Sequence, residues 1–317
     1  MPALTELHSD GPPAGFASFV ARERSESSAY PARELLQSAK RAARHSARAG
    51  DTRKCPRECD GVETSPEHWS GTTVWGMTAA ASPAATQLET LRGLVTTATQ
   101  RLLGDTILVT DERWRAPSRL PDWTRGHVAT HIARHADGIC RLTEWARTGE
   151  RQDMYPSAEH RAAEIEAGAG RSGLELQIDM DTSAGRLSSA FDELDHDAWD
   201  VVVEMSRGLQ VPARLLPLAR LLEVVIHHVD LDVGYEITDI DSQTAEWLLE
   251  WSAFRLRDRE GFPRLQLTSD SGPTTTVGSV GEPVPISGSS ANLLGWLLGR
   301  TDASAITGGT DLRLPAF

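Results

Sequence analysis

Lysine is almost missing from this sequence: Lys40 and Lys54 are the only two, and every basic residue after position 54 is arginine. Basic charge as a whole is short. With 32 Lys and Arg against 45 Asp and Glu the net charge is −13, which disfavours a general electrostatic grip on nucleic-acid phosphate. Cysteine is scarce as well. Cys55, Cys59 and Cys140 cannot build the dense, even framework of a secreted disulfide scaffold, so a reducing, cytoplasmic setting is expected. No run of about 18 apolar residues is available to span a membrane. The N-terminus also lacks the charged start, apolar run and small-residue cleavage site of an export signal. What remains is globular composition, 39% hydrophobic and 24% charged over 317 residues, enough for a sizeable core in one large or two ordinary domains.

The charge is unevenly placed. Residues 1–76 hold ten acidic and ten basic residues, leaving the whole −13 on residues 77–317. The first part carries Gly11-Pro12-Pro13, a serine-rich patch from Ser25 to Ser28, a basic run from Lys40 to Arg44 and few large apolar residues. Such a composition cannot bury enough surface to offset chain entropy, which predicts a disordered extension over 1–76 and makes Met77 a natural start of the folded protein. Cys55-Pro-Arg-Glu-Cys59 lacks a second ligand pair and is not read as a metal knuckle.

From Pro83 onward the pattern changes. Leu88, Leu91, Leu94, Val95, Ala98 and Leu102 recur at three and four residues, the stripe of an amphipathic helix ending near Leu103. Leu120-Pro121-Asp122-Trp123-Thr124 reads as a helix start, with Asp122 as the cap of a helix over 122–147. A third helical region covers 157–195 with a break between Gly168 and Gly173, and a fourth covers 218–234. Four such helices in about 160 residues predict a four-helix bundle. Beyond Ile240 the signals mix: helices at Ala245 to Arg257 and Ser290 to Leu298, with short strands at Leu265 to Leu267 and Val284 to Ile286. The fold class is therefore α+β.

Two helices carry chemistry-bearing spacings. His127, His131 and His135 stand four residues apart on one face of the second helix, and Glu223 and His227 stand four apart on the fourth. Facing helices of a bundle bring such residues together, and three N/O ligands with an open fourth position suit a catalytic zinc site. Each pattern also has a plain structural reading: core or surface histidines, and an ordinary i,i+4 helix pair. The His-Glu-x-x-His motif of zinc proteases is absent. Cys140 and its apolar neighbours read as packed, while His228 and His135 read equally well as solvent-facing.

The stretch from Leu120 to Ala136, then Glu144 to Glu150, Met154-Tyr155-Pro156-Ser157, Arg161 to Gly168, Val211-Pro212-Ala213, Arg220 to Leu231 and Gly288 to Arg300, resembles mycothiol-dependent maleylpyruvate isomerase over residues 83–317. Residues 1–76 have no counterpart in the family. The resemblance implies a DinB-like four-helix bundle over 77–239 and a small α+β domain over 240–317. It implies zinc on His131, Glu223 and His227, and mycothiol as the thiol cofactor. His127 matches a position that is not a ligand, and His135 falls where relatives can carry Asn. Asp230 is suited to hold a ligand imidazole. Arg300, with Arg161, is expected to meet the carboxylates of a small dicarboxylate substrate.

The implied reaction is a cis–trans isomerisation of maleylpyruvate to fumarylpyruvate. Zinc lowers the pKa of the thiol, thiolate adds to the double bond, the resulting single bond rotates, and elimination restores a trans double bond. Arg300 and Arg161 would balance the developing negative charge. A mycothiol S-transferase acting on an electrophile would use the same ligands, and a non-catalytic metal-binding bundle would show no thiol dependence. Neither nucleic acid nor membrane is an expected partner, and nothing points to an obligate protein partner.

Overall fold

The computed structural model describes residues 83–315 apart from 258, 273 and 311. The extension expected at 1–76, with Cys55 and Cys59, lies outside the described residues. The described chain is helix-rich with two small sheets, an α+β protein. No helix among the described residues is long and apolar enough to cross a membrane.

Helix α1 spans Pro83–Thr106 and buries Leu91 and Leu102, two residues of the stripe legible in the sequence. A short helix α2, Asp111–Arg115, follows; its Trp114 is fully buried. Helix α3 spans Arg125–Thr148 and ends on Gly149 at φ 77°, the left-handed position glycine fills without strain. Its cap is Thr124, not the expected Asp122. The Thr124 Oγ1 accepts from the His127 backbone N–H at 3.3 Å, and His127 Nδ1 accepts from the Thr124 N–H at 3.1 Å. Asp122 instead stands at φ 64° in the preceding turn.

The expected break between Gly168 and Gly173 is real. Helix α4, Ala158–Ala169, stops there, and α5, Gly173–Asp192, restarts on a Ser172–Glu175 capping box. Helices α3 and α4 approach closely at Gly126, where a Cβ would lie 2.1 Å from the Ala169 carbonyl oxygen. A hairpin of β1, Val202–Met205, and β2, Leu209–Pro212, leads to α6, Leu216–Asp230. Pro217 sits in the first turn of α6, where its missing N–H has no helical acceptor to lose.

Helices α1, α3, α5 and α6 pack against one another, and α6 is buried along nearly its whole length. Each fully buried Leu of α6 contributes roughly 1.5–3 kcal/mol of transfer free energy, which fixes the helix that carries Glu223 and His227.

Helix α7, Ser242–Leu256, opens the C-terminal part. The sheet order is β4-β3-β5, with β3 (Pro263–Ser269) antiparallel to β4 (Thr274–Val277) and parallel to β5 (Val280–Gly288). Helix α8, Ser290–Leu297, packs on α7. Helix α7 serves two cores. Trp247, Leu248 and Trp251 join the core of the long helices, while Leu249, Ala253 and Leu256 join Phe262, Leu265 and Leu267 of the sheet side. The boundary expected at residue 240 therefore precedes a helix shared by both sides.

Candidate metal centre

Helices α3 and α6 bring His131, Glu223 and His227 together, with one ligand atom from each within 4.8 Å of the others. His131 Nε2 lies 3.0 Å from Glu223 Oε2 and 3.0 Å from His227 Nε2, and the third edge, His227 Nε2 to Glu223 Oε2, is 3.2 Å. A tetrahedral zinc ion with bonds of ~2.0–2.1 Å has donor–donor edges of roughly 3.3 Å, so this near-equilateral N/O/N triangle fits one face of its coordination shell. The residues present suit such an ion in chemistry as well as in spacing.

The surroundings of the two imidazoles differ. His227 Nδ1 donates to Asp230 Oδ2 at 2.9 Å, which leaves Nε2 directed at the cluster in the manner of ligating histidines. Asp230 is 1% exposed and is itself gripped by Arg300, Nε to Oδ1 at 3.1 Å and Nη2 to Oδ2 at 2.8 Å. His131 has a cation where His227 has a carboxylate. Arg161 Nη2 lies 3.0 Å from His131 Nδ1, and since a guanidinium only donates, that nitrogen accepts and the proton of the neutral ring sits on Nε2.

Electrostatics follow burial and pairing. Burial lowers His131 to about 4, outweighing its hydrogen bond to Glu223. His227 is also pulled down by burial, but its hydrogen bonds to Asp230 and Glu223 prevail and raise it to about 9. Burial pushes Glu223 up, and the imidazoles of His135, His131 and His227 overcome it, holding the carboxylate well below its usual range. Asp230 is likewise held down by His227 and Arg300 against burial. The cluster is thus an ionised acid among histidines, ready to exchange protons for a cation.

The other histidines of α3 separate. His127 completes the Thr124 capping box through Nδ1, with its Nε2 3.1 Å from Glu166 Oε2, away from the cluster. His135 is buried, not solvent-facing; its Nε2 is 3.9 Å from Glu223 Oε1, and burial lowers it to about 3. His228 is also buried, 2% exposed, stacked on Tyr235 with ring centroids 4.1 Å apart.

The cluster opens into a cavity of about 690 Å³. Trp123, Met154, Tyr155 and Leu298 supply apolar surface, and the Trp123 ring meets His131 edge-on with centroids 5.6 Å apart. Arg161 and Arg300 both line it. So do two arginines the sequence reading did not single out, Arg207 in the β1–β2 turn and Arg255 on α7. Arg207 lies between strands of only four residues each and Arg255 among the core residues of α7, so tertiary packing, not a sequence signal, brings both to the cavity.

Residues 95–232 match the family model of the mycothiol maleylpyruvate isomerase N-terminal domain. Among solved structures, the crystal structure of the mycothiol-dependent maleylpyruvate isomerase is similar at 29% identity with a TM-score of 0.66, covering 73% of this chain and 97% of that one. The crystal structure of a histidine-to-alanine mutant of the same enzyme matches to the same extent. No curated protein matches.

Proposed function

We propose that this chain, whose residues 95–232 belong to the mycothiol maleylpyruvate isomerase N-terminal domain family, is a zinc- and mycothiol-dependent cis–trans isomerase that converts maleylpyruvate to fumarylpyruvate in the breakdown of aromatic compounds. We read 77–239 as a DinB-like four-helix bundle and 240–317 as a small α+β domain, in a cytoplasmic enzyme. The observation that carries this reading is the N/O/N triangle of His131, Glu223 and His227 at the base of an arginine-lined cavity, in a chain similar to a mycothiol-dependent maleylpyruvate isomerase.

When bound, metal and thiol supply a thiolate that adds reversibly to a carbon–carbon double bond, leaving a single bond that turns before the thiolate departs. The protein's own residues do the rest. Asp230 keeps the His227 proton on Nδ1, so that Nε2 offers its lone pair to the cation. Glu223, and His131 once its Nε2 proton is lost, would complete the ligand set beside the cavity that all three residues line. Trp123, Met154 and Leu298 exclude water from the reacting carbons, which strengthens every charge interaction there. Arg161 and Arg300 bring positive charge to the edge of the cluster, where negative charge grows on the substrate.

The test is stoichiometric. Mycothiol should be required for isomerisation yet not consumed, with many turnovers per thiol molecule. Loss of thiol in step with product would identify an S-transferase, and isomerisation at the same rate without thiol would end the reading.

A further inference from the structure

The cavity over the metal centre is walled by four arginines from four parts of the chain: Arg161 on α4, Arg207 in the β1–β2 turn, Arg255 on α7 and Arg300 after α8. Arg161 and Arg300 are engaged at the metal cluster itself. Every nitrogen of Arg300 donates to the protein, Nε and Nη2 to Asp230 and Nη1 to the Leu298 carbonyl at 2.7 Å. Arg161 Nη2 donates to His131. A substrate with two carboxylates therefore needs cationic donors beyond this pair.

Arg207 has the features of such a donor. It makes no ion pair among the described residues, and two acids of the lining, Asp153 and Glu204, both face Arg151, at 3.6 and 3.3 Å. Its backbone is held at φ 63°, ψ 25°, a conformation disfavoured for any residue with a Cβ and usually given to Gly or Asn in a hairpin turn. Strain of this kind persists where the surroundings fix it, and here it presents a guanidinium to the cavity. Arg255 stands close enough to feel both Arg207 and Glu223. Burial lowers its pKa, Glu223 raises it, and Arg207 lowers it again, so two like charges share one partly desolvated wall. An anion between them relieves that repulsion.

We propose that Arg207 and Arg255 form a second anion subsite in this cavity and hold the substrate carboxylate that lies away from His131, Glu223 and His227. Dicarboxylates are then selected over monocarboxylates by residues from the hairpin and from α7, not by the metal centre. The identity of the dicarboxylate rests on the isomerase reading; the existence of the subsite does not.

Two measurements separate the two claims. In the first, binding of succinate, an unreactive dicarboxylate, is compared by calorimetry in the zinc-loaded wild type, Arg207→Gln and Arg255→Gln. Affinity should fall tenfold or more in each variant while zinc content stays stoichiometric. Equal affinity in wild type and Arg207→Gln, an exposed position that tolerates the change, overturns the subsite. In the second, KM for maleylpyruvate should rise tenfold or more in both variants with kcat within threefold, and a cis-enone monocarboxylate should lose less than threefold in kcat/KM. Equal losses for the two substrates overturn the subsite as well. Wild-type protein that binds succinate through Arg207 but shows no mycothiol-dependent turnover leaves the subsite standing and removes the isomerase reading.

Discussion

Arg300 grips both carboxylate oxygens of Asp230, and the Oδ2 it holds at 2.8 Å is the one that accepts from His227 Nδ1. A residue of the C-terminal part thus sets the tautomer of a candidate ligand on α6 through one buried acid. Arg300→Ala should weaken zinc binding, and Asp230→Asn should do so by roughly tenfold to a hundredfold, as expected when the partner of a ligand imidazole is lost. Competition with a chromophoric chelator measures it. Unchanged zinc affinity in Arg300→Ala together with lost turnover would make Arg300 a substrate contact and nothing more.

Arg161 acts on His131 in the opposite sense. Its guanidinium occupies Nδ1 and keeps the proton on Nε2, the atom that faces Glu223 and His227. Ligation through Nε2 requires that proton to leave and Arg161 to turn away. Arg161→Met should therefore raise zinc affinity, by about tenfold for the loss of one competing charged hydrogen bond, while lowering kcat/KM. Weaker zinc binding in this variant would mean that Arg161 supports the site.

Zinc analysis of alanine variants tests the ligand set. His131→Ala, Glu223→Ala and His227→Ala should each lose the metal, because each removes one corner of the triangle. His127→Ala should retain it in full. That variant should instead lose about 1 kcal/mol of stability with its half of the capping box. Metal loss in His127→Ala at unchanged stability would contradict the geometry of the helix start.

The long helices were legible because Leu91, Leu94, Ala98 and Leu102 keep a three–four spacing that only a helix can bury on one side. The hairpin β1–β2 was not. Its strands are four residues each, and its turn is closed by Arg207 in a left-handed conformation that sequence does not advertise. Strand β4 reads as turn material because it is almost all threonine and gains its place from pairing with β3. Of the site, the pair Glu223 and His227 was visible as an i,i+4 spacing. The choice of His131 from a ladder of three depended on how α3 is rotated against α6, and the resemblance supplied it. Arg207 and Arg255 reach the cavity through tertiary packing alone.

His228 gives the protein an acid-sensitive stability. Burial, only partly offset by Asp105 at 3.3 Å, lowers its pKa from 6.5 to about 4. Between those values the unfolded chain binds more protons than the folded one, so stability is lost as pH falls from 6.5 toward 4 and is level above. The loss amounts to up to about 3 kcal/mol for one group shifted this far. Urea midpoints at pH 7 and pH 5 should differ less in His228→Gln than in the wild type. An equal difference in both would assign the acid sensitivity to other groups.

Gly126 couples the two helices that carry His131 and Arg161. An added Cβ would sit 2.1 Å from the Ala169 carbonyl oxygen and 3.1 Å from its carbon, both backbone atoms that cannot rotate aside. Gly126→Ala must therefore push α4 away from the first turn of α3, at a cost of about 1–3 kcal/mol for overpacking a tight contact. For a folded unit of this size that lowers Tm by roughly 2–4 °C per kcal/mol. The ligands stay on α3 and α6, so zinc should remain stoichiometric. Arg161 travels with α4, so kcat/KM should fall although no residue of the cavity has been changed. Calorimetry, metal analysis and turnover on the same preparation read all three. An unaltered Tm would show that α4 can yield at Ala169 without strain, and unaltered turnover at a lowered Tm would show that the position of Arg161 is not held by this contact.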